Sequence, residues 1–130
     1  MIVGFFAGAI GVWCYIDDLL TRFPAMDFSR MRFGIASWYS QADSNIHEYT
    51  ASGELFDDTR MTCASWGHEF QEELLVINLL TGRWVVCRVN DRGPGKRLRR
   101  EIDLTKAAFT KISSLKKGLL YAAIIPISKN

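Results

Sequence analysis

Three carboxylates stand directly behind turn-forming or apolar runs: Glu54 in "TASGELFD", Asp91 in "VNDRGP" and Asp103 in "EIDLT". Carboxylates held at such positions suit proton transfer, because burial or a neighbouring like charge keeps one group protonated while another stays ionised. A pair divided in this way can protonate a leaving oxygen while its partner manages charge or a nucleophile, which is the chemistry of glycosidic bonds. Other chemistries lack their parts. The sequence has no GxSxG, no HExxH, no Walker loop and no CxxC, so nucleophilic, zinc and nucleotide mechanisms have no support, and no cofactor or metal is expected.

Each of these residues also has a purely structural reading. Asp91, beside Arg92 and Gly93, fits a turn-former bonded to its own backbone. Glu54 follows Gly53 and fits an exposed residue after a turn; Asp103, between Ile102 and Leu104, fits a solvent-facing strand position or a helix cap. His68 in "WGHEF" reads as a loop histidine. Trp38, Tyr39 and Trp66 suit stacking on sugar faces, and equally suit core or rim packing.

The elements that must position these groups are short β segments. "GIASWY", "MTCAS", "ELLVINL", "RWVVCRV", "EIDL" and "GLLYAAIIPI" read as six strands, separated by polar and turn-rich stretches. "LTGR" joins the two strongest as a hairpin, with Gly82 allowing the turn. Alternation within "RWVVCRV" puts Val85, Cys87 and Val89 on one face, expected inward, and Trp84, Val86 and Arg88 on the other. "TKAAFTKI" is the one expected helix, with Thr105 as N-cap. Six strands and a single short helix predict a small closed barrel, since closure removes exposed edges, with the chemistry at a mouth where loops gather.

Composition bounds the rest. At 130 residues, with 48% apolar and 23% charged side chains, the chain has the length and balance of one ordinary globular domain. A net charge of +2 names no partner. "KRLRR", Lys96 to Arg100, is a local cationic run that fits a solvated loop or a contact with an anionic polymer. Of three cysteines, Cys14, Cys63 and Cys87, two can pair: a Cys63–Cys87 bridge would contribute about 3 kcal/mol by loop closure. Buried free thiols are the alternative.

The opening "MIVGFFAGAIGVWCYI" is almost wholly apolar, with Asp17 and Asp18 directly behind it. As a helix it would cover only ~22 Å of a ~30 Å hydrocarbon core, and no basic residue precedes it as a signal peptide requires. An export segment or membrane anchor, with association through residues 2–16, and a helix packed on the domain are both open readings. The stretch after it, through Pro24 to Arg32, reads as a linker, giving residues 1–32 as apolar segment and linker and 33–130 as the barrel domain.

Taken in order, "GIASWYS", "TASGELFD", "MTCAS", "VINLLTGRWVVCRVNDRGP" and "IDLTKAAFTKI" resemble the successive signatures of the rare lipoprotein A family, the septal-ring lytic transglycosylases. The resemblance runs from Phe33 to Ile127, and "VNDRGP" followed by "IDLTKAA" is its most specific part. It implies a mainly β fold, a six-stranded double-psi β-barrel of the kind also found in expansins, barwin-like proteins and some endoglucanases. It also implies cleavage of the MurNAc–GlcNAc bond of peptidoglycan without water, the sugar's own C6 hydroxyl attacking C1 to leave a 1,6-anhydro end. Asp91 matches the family's general acid/base and Glu54 its carboxylate partner; Asp103 matches an Asp shared with the wider barrel group. Ser65, Asp103, Arg92, Tyr39 and Trp66 are the expected substrate-binding residues.

Two departures stand out. Ser65 in "TCAS" occupies the position of a family His, and Ser carries no charge and supplies no proton near neutral pH; His68, three residues on, substitutes only if the "SWGHEF" loop folds back. Arg99 and Arg100 replace a Gly-Arg turn and make the cleft rim more cationic. The glycan-binding repeat domain of many members is not in this sequence, so targeting is expected from the barrel, the N-terminal segment or another protein. The expected setting is a bacterial cell envelope, with a monomeric protein acting on peptidoglycan glycan strands and not on nucleic acid. A glycan-binding, wall-loosening module without turnover, like expansins, is the alternative that Ser65 motivates.

Overall fold

The computed structural model describes residues 15, 17–23 and 25–128. Six strands close into a barrel: β1 (Arg32–Tyr39), β2 (Thr62–Ala64), β3 (Glu73–Asn78), β4 (Trp84–Asp91), β5 (Ile102–Thr105) and β6 (Leu119–Ile127), in the spatial order β1-β5-β2-β4-β3-β6. β1 with β5 and β2 with β4 are parallel pairs; the other four contacts are antiparallel. The main α-helix among the described residues, α1 (Lys106–Ile112), follows β5 directly. Mainly β architecture with six strands and one main helix is what the sequence patterns predict.

The interior is filled from both ends of the chain. Val85, Cys87 and Val89 of β4 face inward as their spacing requires, against Leu74 and Val76 of β3, Ile102 and Leu104 of β5 and Ile124 of β6. α1 caps this core with Phe109 and Ile112, both fully buried, and each such side chain contributes about 1.5–3 kcal/mol. Thr105 caps the helix as its position in "LTKAAF" predicts: its Oγ1 accepts from the Ala108 amide at 3.3 Å and donates to the Arg60 carbonyl at 2.6 Å. Cys63 and Cys87 form a disulfide with Cα atoms 5.8 Å apart, so the paired alternative is the one realised. It ties β2 to β4 beside the residues that carry Asp91.

The stretch read from sequence as a linker lies along the barrel wall. Helical residues 17–22 bring Leu19 into a buried cluster with Leu75, Ile77, Ala123 and Ile125 on the outer faces of β3 and β6. Phe23 meets the edge of Trp84 at 5.0 Å, and the Tyr15 hydroxyl donates to the Gly82 carbonyl at 2.8 Å. Residues 1–14 and 16, which hold most of the apolar segment and its export or anchoring readings, lie outside the described residues. No helix among the described residues is long and apolar enough to cross a membrane.

Candidate active site

The register of β2 decides where the carboxylates go. Cys63 pairs with Val89 but Ala64 pairs with Asp91, so β4 carries one residue more than β2 at this point. Such a bulge bends the strand and re-aims the side chain that follows, which takes Asp91 out of the inward Val85–Cys87–Val89 series to the barrel mouth. On its other side Ala64 pairs with Asp103 of β5. Asp91 and Asp103 therefore flank one residue of β2, with backbones on the order of 10 Å apart by strand spacing. Both line a cleft of about 400 Å³, together with Tyr39, Tyr49, His47 and the Gly93-Pro94-Gly95 turn.

Asp91 is held from three directions. Its Oδ1 accepts from the amides of Ala51 at 2.9 Å and Arg92 at 2.8 Å, and the Tyr39 hydroxyl donates to Oδ2 at 3.3 Å. Tyr39 is itself fixed by stacking on Phe56, with ring centroids 4.7 Å apart. Burial, with Asp91 beside it, pushes the Tyr39 phenol far above its ordinary range, so it stays a hydrogen-bond donor at any physiological pH.

Asp103 has the opposite surroundings. Burial is the main reason its carboxyl is shifted upward, with Asp43 and Asp91 adding like charge; a hydrogen bond from Ser37 and the charge of Arg100 oppose the shift. Gly93 has a φ of +155°, and a Cβ placed there would lie 3.4 Å from the Ala64 methyl and 3.8 Å from Asp103 Oδ2. The glycine thus keeps the turn open over that carboxyl.

Glu54 is turned elsewhere. Both its oxygens are gripped by Arg88, at 2.6 and 2.8 Å, with Gln71 and Ser52 as further donors. These hydrogen bonds hold its carboxyl down at about 2, and it is not among the residues lining the Asp91 cleft. Its loop still reaches the site. The Thr50 amide donates to the Glu54 carbonyl at 2.8 Å and the Ser52 amide to the Asn90 carbonyl at 3.2 Å, so the ion pair fixes the turn that offers Ala51 N–H to Asp91.

Ser65 also points away from the cleft. Its amide donates to the Asp91 carbonyl at 3.1 Å, while its hydroxyl is buried against His68 Nδ1 at 2.8 Å. His68, read as a loop residue, is buried, and that burial lowers its pKa. The "SWGHEF" loop folds back on itself here, a local arrangement that the three-residue spacing permitted but did not require. Arg92 braces it by donating to the carbonyls of Ser65 and His68, both at 2.7 Å, with its guanidinium 3.9 Å from the Phe70 ring centre. Arg92 lines both the Asp91 cleft and a second cavity, of about 480 Å³, that contains the half-exposed Trp66. The Trp66 indole donates to the Pro94 carbonyl at 2.7 Å and lies under Lys96 at 4.8 Å, which accounts for one cation of the basic run.

Of the expected site residues, the fold brings Asp91, Asp103, Arg92 and Tyr39 to one cleft and Trp66 to the neighbouring cavity, and it directs Glu54 and Ser65 away from that cleft. His47 and Tyr49 are cleft residues that sequence reasoning missed; their only signal is two ring-bearing side chains in the polar loop just before "TASGE". Among the described residues no group of His, Cys, Asp and Glu is arranged to hold a metal ion.

With this geometry in hand, the sequence profile of the lytic transglycolase family matches residues 32–124. The chain belongs to the lytic transglycolase family. Family relatives include the probable endolytic peptidoglycan transglycosylases RlpA of Nostoc, 40% identical over 86 residues (66% of this chain, 23% of the relative), and of Treponema pallidum, 40% identical over 91 residues (70% and 28%). The RlpA of Escherichia coli is 38% identical over 82 residues (62% and 22%). The chain therefore spans roughly a quarter of the length of these relatives. Among solved structures, a Streptomyces papain inhibitor superposes with a TM-score of 0.61 at 21% identity, over 77% of this chain and 96% of that one. An expansin mutant from Clavibacter michiganensis, in complex with cellohexaose, gives 0.61 at 18% identity, over 77% and 52%. At these identities the two structures speak for the double-psi barrel fold.

Proposed function

We propose that this lytic transglycolase-family domain cleaves peptidoglycan glycan strands endolytically in the bacterial cell envelope, leaving 1,6-anhydroMurNAc ends. The observation that carries the reading is the pair Asp91 and Asp103 on one cleft, one held by three hydrogen-bond donors and the other pushed toward its protonated form. The names of the relatives, all endolytic peptidoglycan transglycosylases, support the substrate class.

In this reading Asp103 donates its proton to the GlcNAc O4 as the C1–O4 bond breaks, and the MurNAc C6 oxygen closes on C1. The C6 hydroxyl proton passes to Asp91. No water enters the products, and the proton returns from Asp91 to Asp103 through the open cleft. Glu54, paired with Asp91 in the sequence reading, serves here as a positioning residue: ionised and locked to Arg88, it holds the loop whose Ala51 amide aims Asp91. Tyr39 steadies Asp91, while Arg92 and Trp66 offer the flanking cationic and aromatic surfaces that an extended glycan needs.

Peptide-free glycan strands incubated with the protein test this by mass spectrometry. Products lighter by one water than hydrolysis products, lost in Asp91→Asn and in Asp103→Asn, are the expected result. A protein that binds the strands and leaves them intact would overturn it in favour of an expansin-like binding module, which the burial of Ser65 away from the cleft favours.

A further inference from the structure

The barrel end where β4 begins has a chemistry unlike the cleft. The β3–β4 turn exposes Leu80 at 75% and Leu79 at 39%, and β6 beside it exposes Tyr121 at 71% and Leu119 at 45%. The Leu79 amide donates to the Tyr121 carbonyl at 3.0 Å, so turn and strand form one surface. These side chains line a groove of about 430 Å³ into which Lys117 also reaches. Soluble surfaces rarely gather large apolar side chains so closely without a partner.

Charge identifies the partner. Asp103 is the last acidic residue of the chain; residues 104–130 hold five lysines and no Asp or Glu, and the turn itself adds Arg83. Lys111, Lys116 and Lys117 are all exposed, on α1 and on the 3-10 turn Leu115–Lys117 that precedes β6. Lys117 on the groove, with Lys116 beside it and Arg83 in the turn, outweighs Asp18, the acidic group whose charge reaches Tyr15 at this turn and which is itself paired to Arg22. Apolar side chains among such cations match an anionic phospholipid surface, where leucine and tyrosine enter the headgroup region and lysine meets phosphate. The apolar residues 1–14 run into Tyr15, whose hydroxyl is bonded to Gly82 in this very turn.

The geometry points to a membrane-contact face built from the β3–β4 turn, the start of β6 and Lys116–Lys117, which docks the barrel on an anionic bilayer. Asp91 lies at the far end of β4, some ~23 Å away at strand rise. A barrel seated on this face holds its cleft off the bilayer, open to polymer beyond the headgroups. The contact itself does not depend on the transglycosylase reading.

The full 130-residue chain is to be measured for partition onto phosphatidylglycerol-containing and pure phosphatidylcholine vesicles, alongside hydrogen exchange of the vesicle-bound protein. Leu80→Ser with Tyr121→Ser, both at exposed positions, is expected to weaken partition at least about tenfold on either lipid. Lys116→Gln with Lys117→Gln is expected to weaken it on the order of tenfold or more on phosphatidylglycerol vesicles and leave phosphatidylcholine binding unchanged. Amides of residues 79–82 and 117–121 gain protection on vesicles, and those of 92–99 do not. Because residues 1–14 are present throughout, exchange decides the matter even if they dominate the affinity. Absence of protection at 79–82 and 117–121, or protection at 92–99 instead, overturns the proposal. So does a vesicle-free dimer that disappears in the Leu80→Ser, Tyr121→Ser variant, since the face would then belong to a second copy.

Discussion

Glu54 belongs to the loop whose Ala51 amide bonds Asp91, and Asp103 lines the Asp91 cleft, yet their surroundings drive these two carboxylates in opposite directions. Glu54 sits on a partly exposed loop with a bidentate arginine on it, and its charge is secured. Asp103 sits on a strand whose neighbours bury it, with two other carboxylates near it, and its charge is opposed. The same functional group is thus held as an anion in one place and pushed toward its neutral form in the other. What separates them is solvent and the location of one guanidinium.

The largest effects should come from the cleft pair. Asp91→Asn and Asp103→Asn are each expected to reduce turnover on glycan strands by about 10²–10⁴-fold, as loss of general acid–base catalysis does, with Asp103→Asn leaving the melting temperature unchanged or higher because a disfavoured buried charge is gone. Marked destabilisation by Asp103→Asn would show that its charge is structural, and the contrast with Glu54 would collapse. The pH profile carries the same test. Activity that depends on protonated Asp103 falls as pH rises through its raised pKa, and in Asp103→Asn that alkaline limb disappears from the residual rate.

Next in size is the disulfide. Replacing Cys63 and Cys87 together with Ala should cost about 3 kcal/mol in a denaturant titration, by release of the loop between them, and should disturb Asp91 through the β2–β4 pairing. The Glu54 side of the comparison is smaller. Glu54→Gln and Arg88→Met are each expected to lower stability by about 1 kcal/mol, since the pair is partly solvated, and to slow turnover to similar extents. A double-mutant cycle should show most of both effects shared. A far larger rate loss in Glu54→Gln than in Arg88→Met would return Glu54 to a chemical role.

The smallest effect is a pH dependence of stability. The folded pKa of Glu54 is depressed, so its contribution is fully present above its ordinary value of 4.5 and is lost as pH falls toward about 2. Arg88→Met removes this component of the acid unfolding curve. The lowered pKa of His68 acts in the same sense: its neutral form favours the fold above the ordinary 6.5, and that contribution is lost as pH falls through the depressed value.

Much of the fold was legible in short patterns. The alternation of "RWVVCRV" assigned the faces of β4 correctly because a strand repeats every two residues whatever it packs against. Thr105 before "KAAF" announced a helix because capping is a contact across three residues. The motif resemblance likewise reached Asp91 and Asp103. It did not reach the Arg88 that claims Glu54, and it made the approach of His68 to Ser65 conditional on a folded-back loop. The first partnership spans 34 residues along the chain, and the second depends on how one loop doubles back.

By itself the sequence determined the six strands, the inward face of the barrel, the helix α1 and the family. Each of these rests on local periodicity or on residues that stand in a fixed order. Tertiary structure alone decided whether Cys63 and Cys87 meet, which carboxylates share a cleft, and which of them is neutralised by an arginine. Those outcomes depend on parallel pairing of β2 with β4 and on a one-residue shift between them. Distance along the chain carries no information about either, whereas electrostatic environment depends wholly on distance in space.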